Sequence, residues 1–278
     1  MKERYVCQRG DCAPAKRHDI PKGSIHVNTM DGTAIPGCVF CEAWWLIENI
    51  KTDGSLSAHE DADELMFFFG CSEDDKNDLC GEIVFQIEND VFTVSKTCMF
   101  FIPRGAAHGL LEVRNIRGGI LCSTSLHETD TYSFVPAKAS APKGAFAKNL
   151  ITGYNRPHDS IGDNIPPGFD PTLWIDCRVF ENAPYLEVLR FNPVDFSAPE
   201  AHTHTFDEII AFMGSHPDSC DSLNGEIRYA VKGEDVVMRT STYFFLPAGT
   251  SHSPITVKKL DRYVIHFSGG GRGIYELK

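Results

Sequence analysis

The sequence predicts an all-β protein of two tandem barrel or sandwich domains, and three observations carry that reading. Apolar stretches are short and bounded by Gly, Asp, Asn and Pro. No segment sustains a helical period with caps. The second half also repeats the first: at a constant offset of 144, residues 63–113 lie on 207–257 without a gap and agree at 15 of 51 positions, where ordinary composition gives about three. Asp63-Glu64 falls on Asp207-Glu208, Gly81-Glu82-Ile83 on Gly225-Glu226-Ile227, Pro103 on Pro247, Gly105 on Gly249 and His108 on His252. The chain is therefore a duplication.

In chain order, residues 1–20 are polar and irregular and read as an N-terminal arm. Residues 21–135 form the first barrel, with strands expected over Val39–Ile50, Glu64–Phe69, Ile83–Ile87, Val91–Val94, Met99–Ile102 and Gly119–Ser123. Residues 136–148, rich in Ala, Lys and Pro, read as a linker, and 149–278 as the second barrel. Pro21-Lys22-Gly23 and Pro142-Lys143-Gly144 look like the starts of the two copies, 121 residues apart. On that reading the second copy carries 23 extra residues (144 − 121) before its histidine strand. They are placed in 156–171, a Pro/Gly/Asp-rich loop of the length that serves as a lid or interface element. Gly269–Gly273 reads as a flexible exit and not a phosphate loop, because no strand-to-helix context follows it.

Composition narrows the function. A net charge of −12 argues against nucleic acid or an anionic membrane as partner. The N-terminus has no signal-like apolar run and no stretch is long enough to span a bilayer, so a soluble, cytoplasmic protein is expected. Ten cysteines in such a chain read as structural thiols; Cys38 and Cys41 would need two further ligands to hold zinc. The expected partners are a small molecule and, in a homodimer, a second copy of the chain.

The chemistry concentrates in Ala201–Glu208 and the Pro-x-Gly segment before His252. Side chains at i and i+2 of a strand share a face, so His202 and His204 can converge on one ion, and Glu208 has the same parity. Imidazole plus one carboxylate suits a divalent Fe, Mn, Ni, Cu or Zn. Proline and glycine fix the turn that presents His252.

These residues resemble the two motifs of the cupin superfamily, G-x5-H-x-H-x(3,4)-E-x6-G and G-x5-P-x-G-x2-H-x3-N. His202, His204, Glu208 and Gly214 match the first; Pro247, Gly249 and His252 match the second. Phe196 and Ser241 replace the leading glycines, Gly214 follows Glu208 one residue early, and Thr256 replaces the asparagine. The resemblance implies two jelly-roll barrels, a bicupin, with the ion held by His202, His204, Glu208 and His252. It does not specify the reaction.

In the first copy, Glu64 and His108 occupy the places of Glu208 and His252, while gap-free alignment sets Ala58 and Glu60 at His202 and His204. His59 then has the wrong parity unless a bulge turns it inward. Two alternatives stand: a thin metal shell of His108, Glu64 and either His59 or Glu60, or a purely structural barrel. Around the second site, Phe206, Ile210, Phe212, Tyr243, Arg190, Tyr229 and His266 are candidate pocket residues. Two functions compete. One is a metal-dependent enzyme on a small organic molecule, oxygenase-like before isomerase or decarboxylase, with Glu208 as general base and an apolar or aromatic substrate. The other is a non-catalytic cupin that binds a carboxylate or sugar.

Overall fold

The computed structural model describes residues 5–17, 20–157 and 165–272. Apart from the 3-10 turn Pro217–Ser219, the regular structure of these residues is strand. The chain divides into two compact units, Gly10–Gly153 and a second made of Met1–Arg9 with Tyr154–Lys278. No described helix is long and apolar enough to cross a membrane.

The unit Gly10–Gly153 is a pair of packed sheets. One runs in the order Leu150–Ile151, Cys98–Ile102, Asp63–Gly70, Ile120–His127, Phe40–Leu46 and Ile25–Met30. The other runs Val135–Ala137, Leu56–Ala58, His108–Arg114, Asp78–Ile87 and Asp90–Lys96, with Ile50–Lys51 also paired to His108–Arg114. Met66, Phe68, Phe85, Phe100, Ile102 and Val113 fill the space between the sheets. Their same-face spacing makes one side of each strand core. On Asp90–Lys96 the pattern alternates, with Val91 left exposed beside buried Asp90.

The second unit repeats this plan. Asp78–Ile87, Asp90–Lys96, Cys98–Ile102 and His108–Arg114 recur as Ser222–Val231, Glu234–Thr240, Thr242–Leu246 and His252–Lys258, each 144 residues on. The offset reaches further back than the sequence suggested. Ile25–Met30 is answered by Phe169–Ile175 and Phe40–Leu46 by Pro184–Phe191, again at 144. The start of the second copy at Pro142 is therefore corrected. Its likeness to Pro21-Lys22-Gly23 is local, because 142–146 packs on the first unit.

The reason is a pair of buried carboxylates. Glu88 accepts the Ala107, Ser140 and Ala141 N–H groups at 2.8, 2.5 and 2.9 Å, and Asp90 accepts those of Gly144 and Phe146 at 2.6 and 2.7 Å. The segment 136–148, expected as a linker, is thus tied down by charge-assisted hydrogen bonds. Burial raises the Glu88 pKa, but the three amide donors outweigh it and hold the carboxyl below its ordinary 4.5. A carboxyl lowered on folding stabilises above its unfolded value and loses that contribution as pH falls through the folded one. Amide exchange at Ser140 and Ala141, corrected for intrinsic chemistry, should accelerate as pH drops below about 4.5. In Glu88→Gln it should be fast already at neutral pH. Equal protection in both proteins would refute this clamp.

Two edges also depart from expectation. The short strand Val6–Gln8, read as part of an arm, pairs with Thr242–Leu246 and completes the six-stranded sheet of the second unit. Leu150–Ile151 does the same for Cys98–Ile102 in the first. Val6 and Leu150 are themselves 144 apart, so the leading strand of each copy caps the sheet of the other. Finally, Gly269 and Gly270 are not a flexible exit. They lie in Val264–Arg272, opposite Ile209 and Glu208, where a Cβ at Gly270 would collide with the Phe206 ring. Residues 158–164 of the expected lid loop lie outside the described residues.

Candidate metal centre

Three local devices bring the second-unit histidines together. His202 and His252 exchange backbone hydrogen bonds, N–H to C=O, at 3.0 and 3.1 Å. Gly249, at φ +79, donates its N–H to the His204 carbonyl at 2.8 Å, and Asp207 accepts the Ala248 N–H at 2.8 Å. Asp207 thus takes no part in the donor set and holds the turn that presents His252. A positive φ explains why glycine occupies that turn.

The outcome is a convergent donor set. One ligand atom each from His202, His204 and His252 lies within 4.8 Å of the others. Glu208 Oε2 sits 3.1 Å from His252 Nε2 and 3.5 Å from His204 Nε2. His252 Nδ1 meets the Thr250 carbonyl at 2.8 Å and His202 Nδ1 the Glu200 carbonyl at 2.7 Å. A carbonyl only accepts, so the ring proton is on Nδ1 and Nε2 keeps its lone pair. That is the tautomer a metal-binding imidazole needs. Glu208 Oε2 and His252 Nε2 are buried and, despite their proximity, form no hydrogen bond of acceptable geometry. Three imidazoles, one carboxylate and buried polar atoms aimed at one point fit a divalent first-row ion.

The electrostatics of the empty site pull two ways, since a proton competes with an ion for the His252 lone pair. Burial and the neighbouring His252 and His204 lower the His202 pKa, against the pull of the Glu200 carbonyl and Glu208. Burial also opposes the charged form of His252, but contact with Glu208 outweighs it and raises the pKa.

The first unit shows how one residue displaces a motif. His108 pairs with Ser57, as His252 pairs with His202. Gly105 donates to the His59 carbonyl at 2.7 Å, as Gly249 does to that of His204. His59 therefore occupies the place of His204 and Ser57 that of His202; one extra residue before Glu64 restores the register. The structure brings together His59, Glu64 and His108, with Glu64 Oε2 3.0 Å from His108 Nε2 and 3.6 Å from His59 Nε2. Glu60 is exposed and takes no part. Burial works against the Glu64 anion, yet its two histidine contacts hold its pKa well below 4.5. A buried arginine completes this site. Arg17 lies 3.9 Å from Glu64 and 3.8 Å from Glu42, with its guanidinium 4.8 Å from the centre of the Tyr132 ring. Sequence reasoning missed Arg17 because it sits in a stretch with no periodicity.

Three of the four candidate ligands, His202, Glu208 and His252, border a cavity of about 80 Å³. Of the expected pocket residues, Ile210 and His266 line it. Phe206 stacks on His204 with ring centres 4.8 Å apart. Phe212 and Tyr229 are core residues. Tyr243 packs against Phe267, while its neighbours Phe244 and Leu246 face the barrel core. Arg190 turns away to Tyr263, 4.0 Å from its ring centre, and to Asp170. His266 donates from Nδ1 to the Ala211 carbonyl at 3.0 Å, and burial, offset in part by that bond, lowers its pKa to about 3. Glu187, missed from sequence, lines the cavity as well. Its signal was present: on Pro184–Phe191 it shares parity with Tyr185, Leu189 and Phe191, an acid on an apolar face.

Among the described residues the metal-compatible groups contain no cysteine, and burial, with neighbouring acids, pushes the Cys38 thiol well above its usual range. A zinc site at Cys38 and Cys41 has no support.

No protein-family model and no curated protein matches the sequence. Solved structures do. Oxalate decarboxylase from Bacillus subtilis at pH 4.6 is similar with a TM-score of 0.62 at 11% identity, covering 100% of this chain and 78% of that one. A mutant of the same enzyme gives 0.63 at 10% identity, covering 100% and 80%. At such identity the likeness speaks for architecture, and with the sheets and the repeat it shows that this chain has the tandem-barrel fold of the cupins.

Proposed function

We propose that this protein is a metal-dependent cupin enzyme whose second unit holds the working ion and acts on a small organic molecule. The observation that carries the reading is the buried convergence of His202, His204, Glu208 and His252, with two of the rings oriented by backbone carbonyls. Iron, manganese, nickel, copper or zinc would supply Lewis-acid or redox chemistry there. The chain's own contribution is to orient the four donors, to exclude water with Leu189, Ile210 and Ile255, and to hold a carboxylate oxygen, Glu208 Oε2, at the cavity wall where it can take a proton.

The pocket suggests where a substrate begins. It has about 80 Å³ and opens to solvent, against about 150 Å³ for an enclosed engineered cavity that accommodates benzene. It therefore seats a group of a few non-hydrogen atoms beside the donors, and small acids are the first compounds to try. An oxygenase-like reaction remains the first choice, and decarboxylation, the activity named for the similar structures, is its competitor. The test is metal analysis of the purified protein followed by oxygen-uptake and carbon dioxide-release assays on two- to four-carbon hydroxy, keto and amino acids. Turnover with either gas assigns the class. Ion uptake and ligand binding without turnover leaves the binding reading, and failure to retain any of the five metals refutes both.

A further inference from the structure

Glu187 is a half-buried carboxyl on the cavity wall beside the candidate metal ligands. One of its oxygens accepts the Tyr154 hydroxyl and the other the Tyr185 hydroxyl, the latter at 3.3 Å. Arg156 acts on it from the Tyr154 side, with its guanidinium 4.7 Å from the Trp174 ring centre. No lysine or arginine lines this cavity among the described residues. Its remaining polar groups are the Glu208 carboxyl among the candidate ligands, the Ser253 and Ser268 hydroxyls and the histidines, of which His266 is kept neutral by burial. Arg190, the basic residue on the same strand as Glu187, is turned to Asp170 and Tyr263. The charge is the reverse of that in the first unit, where Arg17 stands beside His59, Glu64 and His108.

We propose that Glu187 sets the ligand class of the second unit: a small monoanion whose end remote from the metal site carries a hydroxyl or amino donor, and not a dicarboxylate. This rests on the metal reading of His202, His204, Glu208 and His252. The anionic or carbonyl head of such a ligand belongs with the ion. Its far end meets a carboxylate, which accepts hydrogen bonds and repels a second negative charge across a low-dielectric space. Burial above all, with the nearby Glu208, raises the Glu187 pKa despite the pull of Tyr154, Arg156 and Tyr185; the two tyrosine hydroxyls that donate to its two oxygens are the geometric support for the anion at alkaline pH.

Glycolate and oxalate differ chiefly at that far end, hydroxyl against carboxylate. With cobalt(II)-loaded protein at pH 8, their dissociation constants can be read from the visible bands of the ion. Glu187→Gln keeps the shape and removes the charge. Opposite changes are expected: glycolate should weaken several-fold and oxalate tighten about tenfold or more. Glu187→Leu, which needs no polar partner, should show the same pair of signs if the glutamine variant fails to fold. Affinities that do not change, or that move together, overturn the proposal while leaving the metal site standing. No cobalt uptake by the unaltered protein removes the metal reading, and this inference with it.

Discussion

Replacing His204 by alanine should lower the affinity of the second-unit ion by more than about 100-fold, since losing merely an outer-shell partner of a metal ligand costs 10- to 100-fold. The substitution removes one of three imidazoles and the ring on which Phe206 stacks. It also leaves Glu208 Oε2 with His252 alone, 3.1 Å away. His59→Ala is the matched control. It deletes the equivalent ring in the first unit, 3.6 Å from Glu64, and should leave the second-unit ion in place. Metal content after gel filtration, with circular dichroism to check folding, reads both variants. Equal loss in the two, or retention in His204→Ala, would contradict a working site at residues 202–208 and 252.

Deleting residues 1–9 should destabilise the second unit and spare the first, although the deletion lies at the opposite end of the sequence. Val6, Cys7 and Gln8 pair with Phe244, Tyr243 and Thr242, and the Tyr5 carbonyl accepts the Phe245 N–H at 3.0 Å. Cys7 is fully buried, and Tyr5 and Val6 pack against the core that holds Phe212, Tyr229 and Phe244. Full burial of a large apolar side chain is worth about 1.5–3 kcal/mol; Tyr5 and Val6 are partly buried, so losing the two together is worth about 1.5–3 kcal/mol. That is an upper figure, since denatured chains keep some contacts, but it is large against a typical total of about 5–15 kcal/mol. It also bares Thr242–Leu246 as an unpaired edge. The tryptophans separate the responses: Trp174 reports on the second unit, and Trp44 and Trp45 on the first. In denaturant, only the Trp174 transition should move to lower concentration. Coincident shifts, or none, would refute the exchange of leading strands.

How much of this was legible depends on how local each signal is. The barrels could be read because strand alternation and Gly/Pro turns repeat at one offset, so each copy corroborates the other. His202, His204, Glu208 and His252 could be singled out because a strand converts spacing into a shared face. The same rule misplaced His59. Parity counts residues, and one additional residue in the turn between His59 and Glu64 shifts the count without changing where the ring points. Tyr243 was nominated by parity and Arg190 with its parity left open, and on both strands the adjacent residues face the interior. Glu187 carried a readable mark, an acid on an apolar face, which was passed over for the arginine three positions on.

The sequence by itself determined the fold class, the duplication and which four residues to look for together in the second unit, since all three follow from short-range periodicity and a repeated turn. Tertiary structure alone decided that Val6–Gln8 caps the second sheet, that 136–148 is clamped by Glu88 and Asp90, and that Arg17 and Glu187 give the two sites opposite neighbours. These depend on contacts between residues far apart in the chain. Spacing records which way a side chain points from its own strand, and carries no record of what a distant segment brings to meet it.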